Sequence, residues 1–114
     1  MDLKEIQTKQ KEFILARKWS RFSATQIFSH LIEELGEIVS YFLYEEKYKV
    51  KGAGHNGTEN NLKQEFAQAF NLFLQLAIHA NVDLEQAWLE ETKLMAERFD
   101  IDLWQKLAED ENEI

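Results

Sequence analysis

At 114 residues, with no proline, no cysteine and only four glycines, the chain has the length of one domain and the composition of a helical one. The lack of cysteine excludes disulfides and thiolate chemistry and suits a cytoplasmic protein. A formal net charge of −8 argues against a basic face for a nucleic acid polymer, yet leaves room for a small anion that arrives with its own divalent cation.

The opening MDLKEIQTKQKEF is polar and alternately charged, unlike a signal or transit peptide. No apolar run reaches the roughly 20 residues of a membrane span, so no membrane partner is expected. Leu3, Ile6, Phe13, Ile14 and Ala16 among charges predict a first helix from residue 2 to about 18. KWSRFSATQ interrupts it, and Ser23 with Gln26 three residues later has the capping-box pattern that starts a second helix near Ala24. That helix is expected to run to about Lys49. KGAGHNGTEN, with three of the four glycines, is the clear loop. Asn60 or Thr58 is expected to cap a third helix, from about Asn61 to His79. Asp83, with Gln86 reaching back, predicts a fourth over about Leu84 to Phe99. Asp102 is the expected cap of a short tail helix, LWQKLAED, and EDENEI should fray. The expected fold is all-α, a single domain spanning 1–114. It would be a bundle of four to five helices whose wide apolar faces point to a core completed by homo-oligomerisation.

Helical periodicity places the charges. In the second helix Ile27, Leu31, Leu35, Ile38, Val39 and Phe42 fill an apolar arc, widened by Phe28, Ile32 and Leu43. Glu34, Glu37, His30 and Tyr41 line one edge of it, while Glu33 turns toward solvent. In the third helix Leu62, Phe66, Ala69, Phe70, Phe73, Leu76, Ala77 and Ala80 make a wide face. Glu65 falls inside that face, with Gln68 at its edge beside His79. A carboxylate aimed at a core must be neutralised, hydrogen-bonded or bound to a cation. The bland partner is arginine, and Arg98 lies among the apolar residues of the fourth helix. The alternative is a metal. Two antiparallel helices would bring Glu34-x-x-Glu37 and Glu65-x-x-Gln68 face to face, and an all-oxygen donor set selects magnesium or manganese over zinc.

The segments FILARKWSRFSATQIFSHLIEELGEI and EFAQAFNLFLQLAIHANVDLEQAWLEETKLMAERF, which together reach from residue 13 to 99, resemble the MazG-like branch of the all-α NTP pyrophosphatase superfamily. The resemblance rests on the Trp-Phe pair before the second helix, on HLIEELGEI, and on LFLQLAIHANVDLEQA leading to a terminal Arg-Phe. It implies magnesium-dependent cleavage of a nucleoside triphosphate, (d)NTP, to the monophosphate and pyrophosphate for nucleotide-pool clearance, in a homodimer or homotetramer. Matched position by position to E-x-x-E, a spacer and E-x-x-D, it implies that Glu34, Glu37 and Glu65 are metal ligands. Gln68 stands where the family has aspartate.

Glutamine offers one carbonyl oxygen and no charge, so fewer metals or a water-mediated contact are expected at Gln68, with Glu33 or Glu45 as compensating carboxylates. Glu37, with Glu34, is the candidate for assisting water attack; a ligand role alone is equally open for Glu37. Arg98 and Lys63 are candidate phosphate contacts, Lys63 also reading as a solvated helix residue. Trp19 is a candidate base-stacking residue or an aromatic plug between the first two helices. The KGAGHNG loop, which is not a P-loop, could close over phosphates or simply connect. The competing function is a catalytically weakened or inactive helical protein that dimerises or binds through its apolar faces.

Overall fold

The computed structural model describes residues 1–56 and 61–112. Five α-helices follow one another: α1 (Leu3–Ala16), α2 (Ala24–Glu45), α3 (Leu62–His79), α4 (Leu84–Arg98) and α5 (Ile101–Asn112), with a 3-10 turn at Trp19–Arg21 between the first two. Among the described residues there is no strand, only an isolated bridge from Lys51 to His55 inside the loop. No helix there is long and apolar enough to cross a membrane. The fold is therefore all-α. The chain divides into two compact units, Met1–Val82 and Asp83–Ile114.

Short polar side chains set the helix starts by accepting from backbone N–H groups that the first turn leaves unpaired. Asp2 accepts from Glu5 at 2.8 Å. Ser23 accepts from Gln26 at 3.2 Å while the Gln26 side chain accepts from the Ser23 N–H at 2.9 Å, completing the expected capping box. Asn61, one residue past the expected Asn60, caps α3 by accepting from Gln64; Thr58 and Asn60 lie outside the described residues. Asp83 caps α4 as expected, but Gln86 turns outward to donate to Glu90 instead of reaching back. For α5 the cap is Asp100, which accepts from Leu103 at 2.9 Å, and the expected Asp102 falls inside the first turn. That helix persists to Asn112 where fraying was expected.

The second helix ends at Glu45, about one turn short of Lys49. Lys47 adopts a left-handed φ of 63°, its N–H donates to the Tyr44 carbonyl, and the Lys49 N–H donates to Leu43. Those bonds satisfy terminal carbonyls and stop the helix with a lysine in the place where glycine is usual. The following turn uses Gly52 and Gly54 at φ 86° and 87°, values that a side chain would strain.

In the first unit α3 packs against both α2 and α1. Its buried residues are Ile14 on α1, Ile27, Leu31 and Ile38 on α2, and Ala69, Leu74, Gln75 and Ala77 on α3. The register follows from which residues share space. Ile27 and His30 border the same hollow as Leu72 and Gln75, Glu34 shares one with Gln68, and Glu37 meets Glu65. Numbers rise along α2 as they fall along α3, so the two run antiparallel.

Only half of each apolar arc is consumed by this contact. Phe28, Ile32, Leu35, Val39 and Phe42 on α2 remain exposed, as do Phe66, Phe70 and Phe73 on α3. In the second unit Phe99 meets Trp104 edge-on at 6.0 Å, and no residue of α4 is buried. Of the expected face, Trp88, Leu94, Met95 and Phe99 are exposed, while Leu84 and Ala87 are half-buried.

Leu74, 1% exposed, is the most deeply packed large side chain of the unit. Leu74→Ala is expected to lower the unfolding free energy by about 2–5 kcal/mol, the range for a fully buried leucine, whereas Val39→Ala should change it far less. Urea denaturation of both variants checks this; equal losses would contradict the packing described.

Candidate metal centre

Glu34 and Glu37 come from the middle of α2, and Glu65 from the first turn of α3. Residues three apart on a helix lie on neighbouring surface positions, so Glu34 and Glu37 share a face without help from the rest of the chain. The antiparallel register then lays Glu65 across from Glu37. Each of the three offers a carboxylate oxygen, and these oxygens all lie within 4.8 Å of one another.

Burial differs across the group. Glu37 is exposed, while Glu34 and Glu65 are half-buried. Glu34 Oε2 and Glu65 Oε2 are both inaccessible to solvent and have no hydrogen-bond partner among the described residues. Buried carboxylate oxygens without a donor are costly and uncommon in folded proteins. On the other oxygen of Glu34, His30 Nε2 lies 3.5 Å away, one turn earlier on α2.

Electrostatics reinforce the picture. The Glu37 carboxyl is held above its ordinary value, first by a hydrogen bond shared with Glu65, then by the Glu65 charge and by partial desolvation. His30 acts the other way and favours the charged form. Carboxylates crowded together in this way raise each other's hold on a proton, and the His30 contribution does not cancel that. A hard divalent cation would replace that proton, satisfy the two orphaned oxygens and remove the repulsion. The all-oxygen donor set suits magnesium or manganese.

The remaining candidates sort by position. Gln68, exposed on α3, borders a hollow of about 390 Å³ together with Glu34, so it stands beside the carboxylates and brings no charge to them. Glu33 and Glu45 are exposed and fall outside the three-carboxylate group. Trp19 meets Phe13 of α1 edge-on at 5.6 Å and also borders the hollow that holds Glu34 and Gln68. Lys63 is exposed and, two residues before Glu65, is rotated from it by about 200° around the helix. Arg98 belongs to the second unit, where its guanidinium lies over the Phe99 ring at 4.6 Å. In the glycine loop the Gly52 N–H donates to the His55 carbonyl; Gly57 lies outside the described residues.

Periodicity did not single out Gln75, the one buried polar residue among those described. Its sequence signal is its spacing of seven from Gln68, which puts both on one face of α3, with His79 one turn further on. Compared with known proteins, the chain matches no family model and no curated protein.

The sign of the Glu37 effect is open to test. A carboxyl raised in the folded state favours folding while protonated, and that contribution is lost as pH rises through the folded value, which lies above the ordinary 4.5. In metal-free protein, Glu37→Gln should therefore raise the melting temperature above that window relative to wild type and leave the two alike below it. Magnesium or manganese should stabilise wild type and do little for the variant. Parallel melting profiles across pH, with and without metal, would contradict the crowding.

Proposed function

We propose that the protein is a magnesium-dependent nucleoside triphosphate pyrophosphohydrolase, cleaving (d)NTP to (d)NMP and pyrophosphate, as its resemblance to the MazG-like branch implies. The observation that carries this reading is the pair of orphaned, solvent-inaccessible oxygens on Glu34 and Glu65, converging with Glu37 from two helices. Glu34, Glu37 and Glu65 would hold Mg2+, with Mn2+ as a substitute. When bound, the metal supplies Lewis acidity that lowers the pKa of water and offsets phosphate charge.

The chain's own groups do the rest. Glu37 is the most exposed of the three and its carboxyl is held above its ordinary value by Glu65, so it is the candidate to accept a proton from an attacking water. His30 lies 3.5 Å from one oxygen of Glu34 and would orient it. Trp19, 37% exposed, offers an apolar ring for stacking a base. Gln68 contributes an amide where a fourth carboxylate would add charge, which favours fewer metals or a water-mediated contact.

The same reading includes a homodimer or homotetramer. The exposed residues 28, 32, 35, 39 and 42 of α2 recur every three or four positions as a continuous apolar stripe, and large exposed stripes of this kind mark interaction surfaces. A catalytically weakened protein that dimerises or binds through this stripe is the second reading. It is favoured by the missing fourth charge at Gln68.

Incubation with a panel of NTPs and dNTPs plus magnesium, followed by chromatography, separates the two. Monophosphate and pyrophosphate are expected. Glu34→Gln and Glu65→Gln should each lower the rate by more than about a hundredfold, beyond what loss of a metal's outer partners costs, with the helical circular dichroism retained. Full activity in either variant would remove the site; no products together with no heat of magnesium binding would leave the binding protein.

A further inference from the structure

Three hollows of about 440, 390 and 280 Å³ lie along the first unit, and all three are bordered by both Trp19 and Gln75. The 390 Å³ hollow also contains Glu34 and Gln68, so the space is continuous in lining from Gln75 to the carboxylates. The 440 Å³ hollow is otherwise bordered mostly by apolar and aromatic groups, including Phe22, Ile27 and Leu72. Gln75 is 7% exposed, and its amide takes no part in the side-chain hydrogen bonds found among the described residues. That amide is not shut off from solvent, so it opens into these hollows. A ligand that entered and covered it would have to meet its hydrogen bonds, since an amide left buried without partners is costly.

We infer that Gln75 reads the hydrogen-bonding edge of a nucleobase held against Trp19, and so selects which nucleotide reaches the carboxylates. This inference rests on the nucleotide reading above and specifies where that substrate's base lies. The spacing is suitable. Gln75 is ten residues from Glu65, about 15 Å along α3 at 1.5 Å per residue, a span on the order of an extended nucleotide with its phosphates at the metal end. The chemistry is suitable too. A carboxamide presents a donor and an acceptor side by side, the complement of the neighbouring donor and acceptor on a base edge. The flat wall of Trp19 accepts any base, since stacking is tolerant of sequence. Discrimination therefore falls to the amide, because a base with the wrong edge leaves it buried and unpaired.

The test uses the four deoxynucleosides without phosphate or metal, so that the carboxylate centre plays no part. Binding to the whole chain is followed by NMR titration for wild type, Gln75→Met, which keeps length and apolar bulk but removes the amide, and Gln75→Glu, which keeps the shape but not the donors. Wild type is expected to prefer one deoxynucleoside by about tenfold, the worth of one buried hydrogen-bonded edge. Both variants should lose that preference while stacking keeps all four weakly bound. Equal binding of the four by wild type, no binding at all, or an unchanged order in folded variants would overturn the inference. The triphosphate panel decides the reaction separately. A Gln75-dependent preference without hydrolysis keeps the base site and removes the pyrophosphohydrolase, whereas hydrolysis indifferent to the base and to Gln75 removes the base site alone.

Discussion

The antiparallel contact between α2 and α3 is the constraint on which the rest depends. Within either helix the spacing of three merely places polar groups on one face, and like charges so placed are mildly unfavourable. The register between the helices adds a third carboxylate to the first two, from a position its own helix treats as core. That convergence is held by Leu31 and Ile38 of α2 packed with Ala69 of α3, and by the partly buried Leu62 and Leu72 beside them. The apolar contact and the carboxylate group are thus coupled. The first brings the second together, and without a counter-charge the second works against the first.

Magnitude decides what kind of feature this is. Burying Leu31, Ile38 and Ala69 stabilises the pair by a few kcal/mol on the usual area scale of about 25 cal/mol per Å². Whole domains are stable by only ~5–15 kcal/mol. A pair of orphaned carboxylate oxygens beside a shared proton is a sizeable burden against such a margin. Arginine or lysine on α1 or α2 could have relieved it, yet among the described residues the basic side chain found against Glu34 is His30, 3.5 Å away. The sequence leaves the negative charge standing where a cation from solution could meet it.

Much of this is legible in the chain because helical geometry is local. Ser23 and Gln26 announce the start of α2, and their capping bonds form as the pattern requires. Glu65 stands out because its direction is wrong for solvent, and its Oε2 is indeed shut away from water. What the sequence hid is tertiary. Lys47 ends α2 in a left-handed conformation that the residue type does not advertise. Asp100 and Asp102 are equally good caps on paper, and the backbone selects the earlier. Gln75 reads as an ordinary polar residue on a helix until α2 and the turn at Trp19 close around it. A helical wheel gives direction about one axis and says nothing of what lies opposite.

The same wheel explains why half of an apolar arc can pack while the other half stays open. An arc wider than one helix contact has two flanks: Ile27, Leu31 and Ile38 take the flank toward α3, and Phe28, Ile32, Leu35, Val39 and Phe42 take the other. Glu34 and Glu37 are interleaved with these residues in sequence, so the carboxylates and the open stripe belong to the same few turns. At about 100° per residue Glu37 lies roughly 180° around α2 from Phe28, and the packed flank separates the carboxylates from the stripe. A surface covering the stripe would therefore leave the carboxylates as they are, facing α3, and the one helix can serve two contacts without setting one against the other.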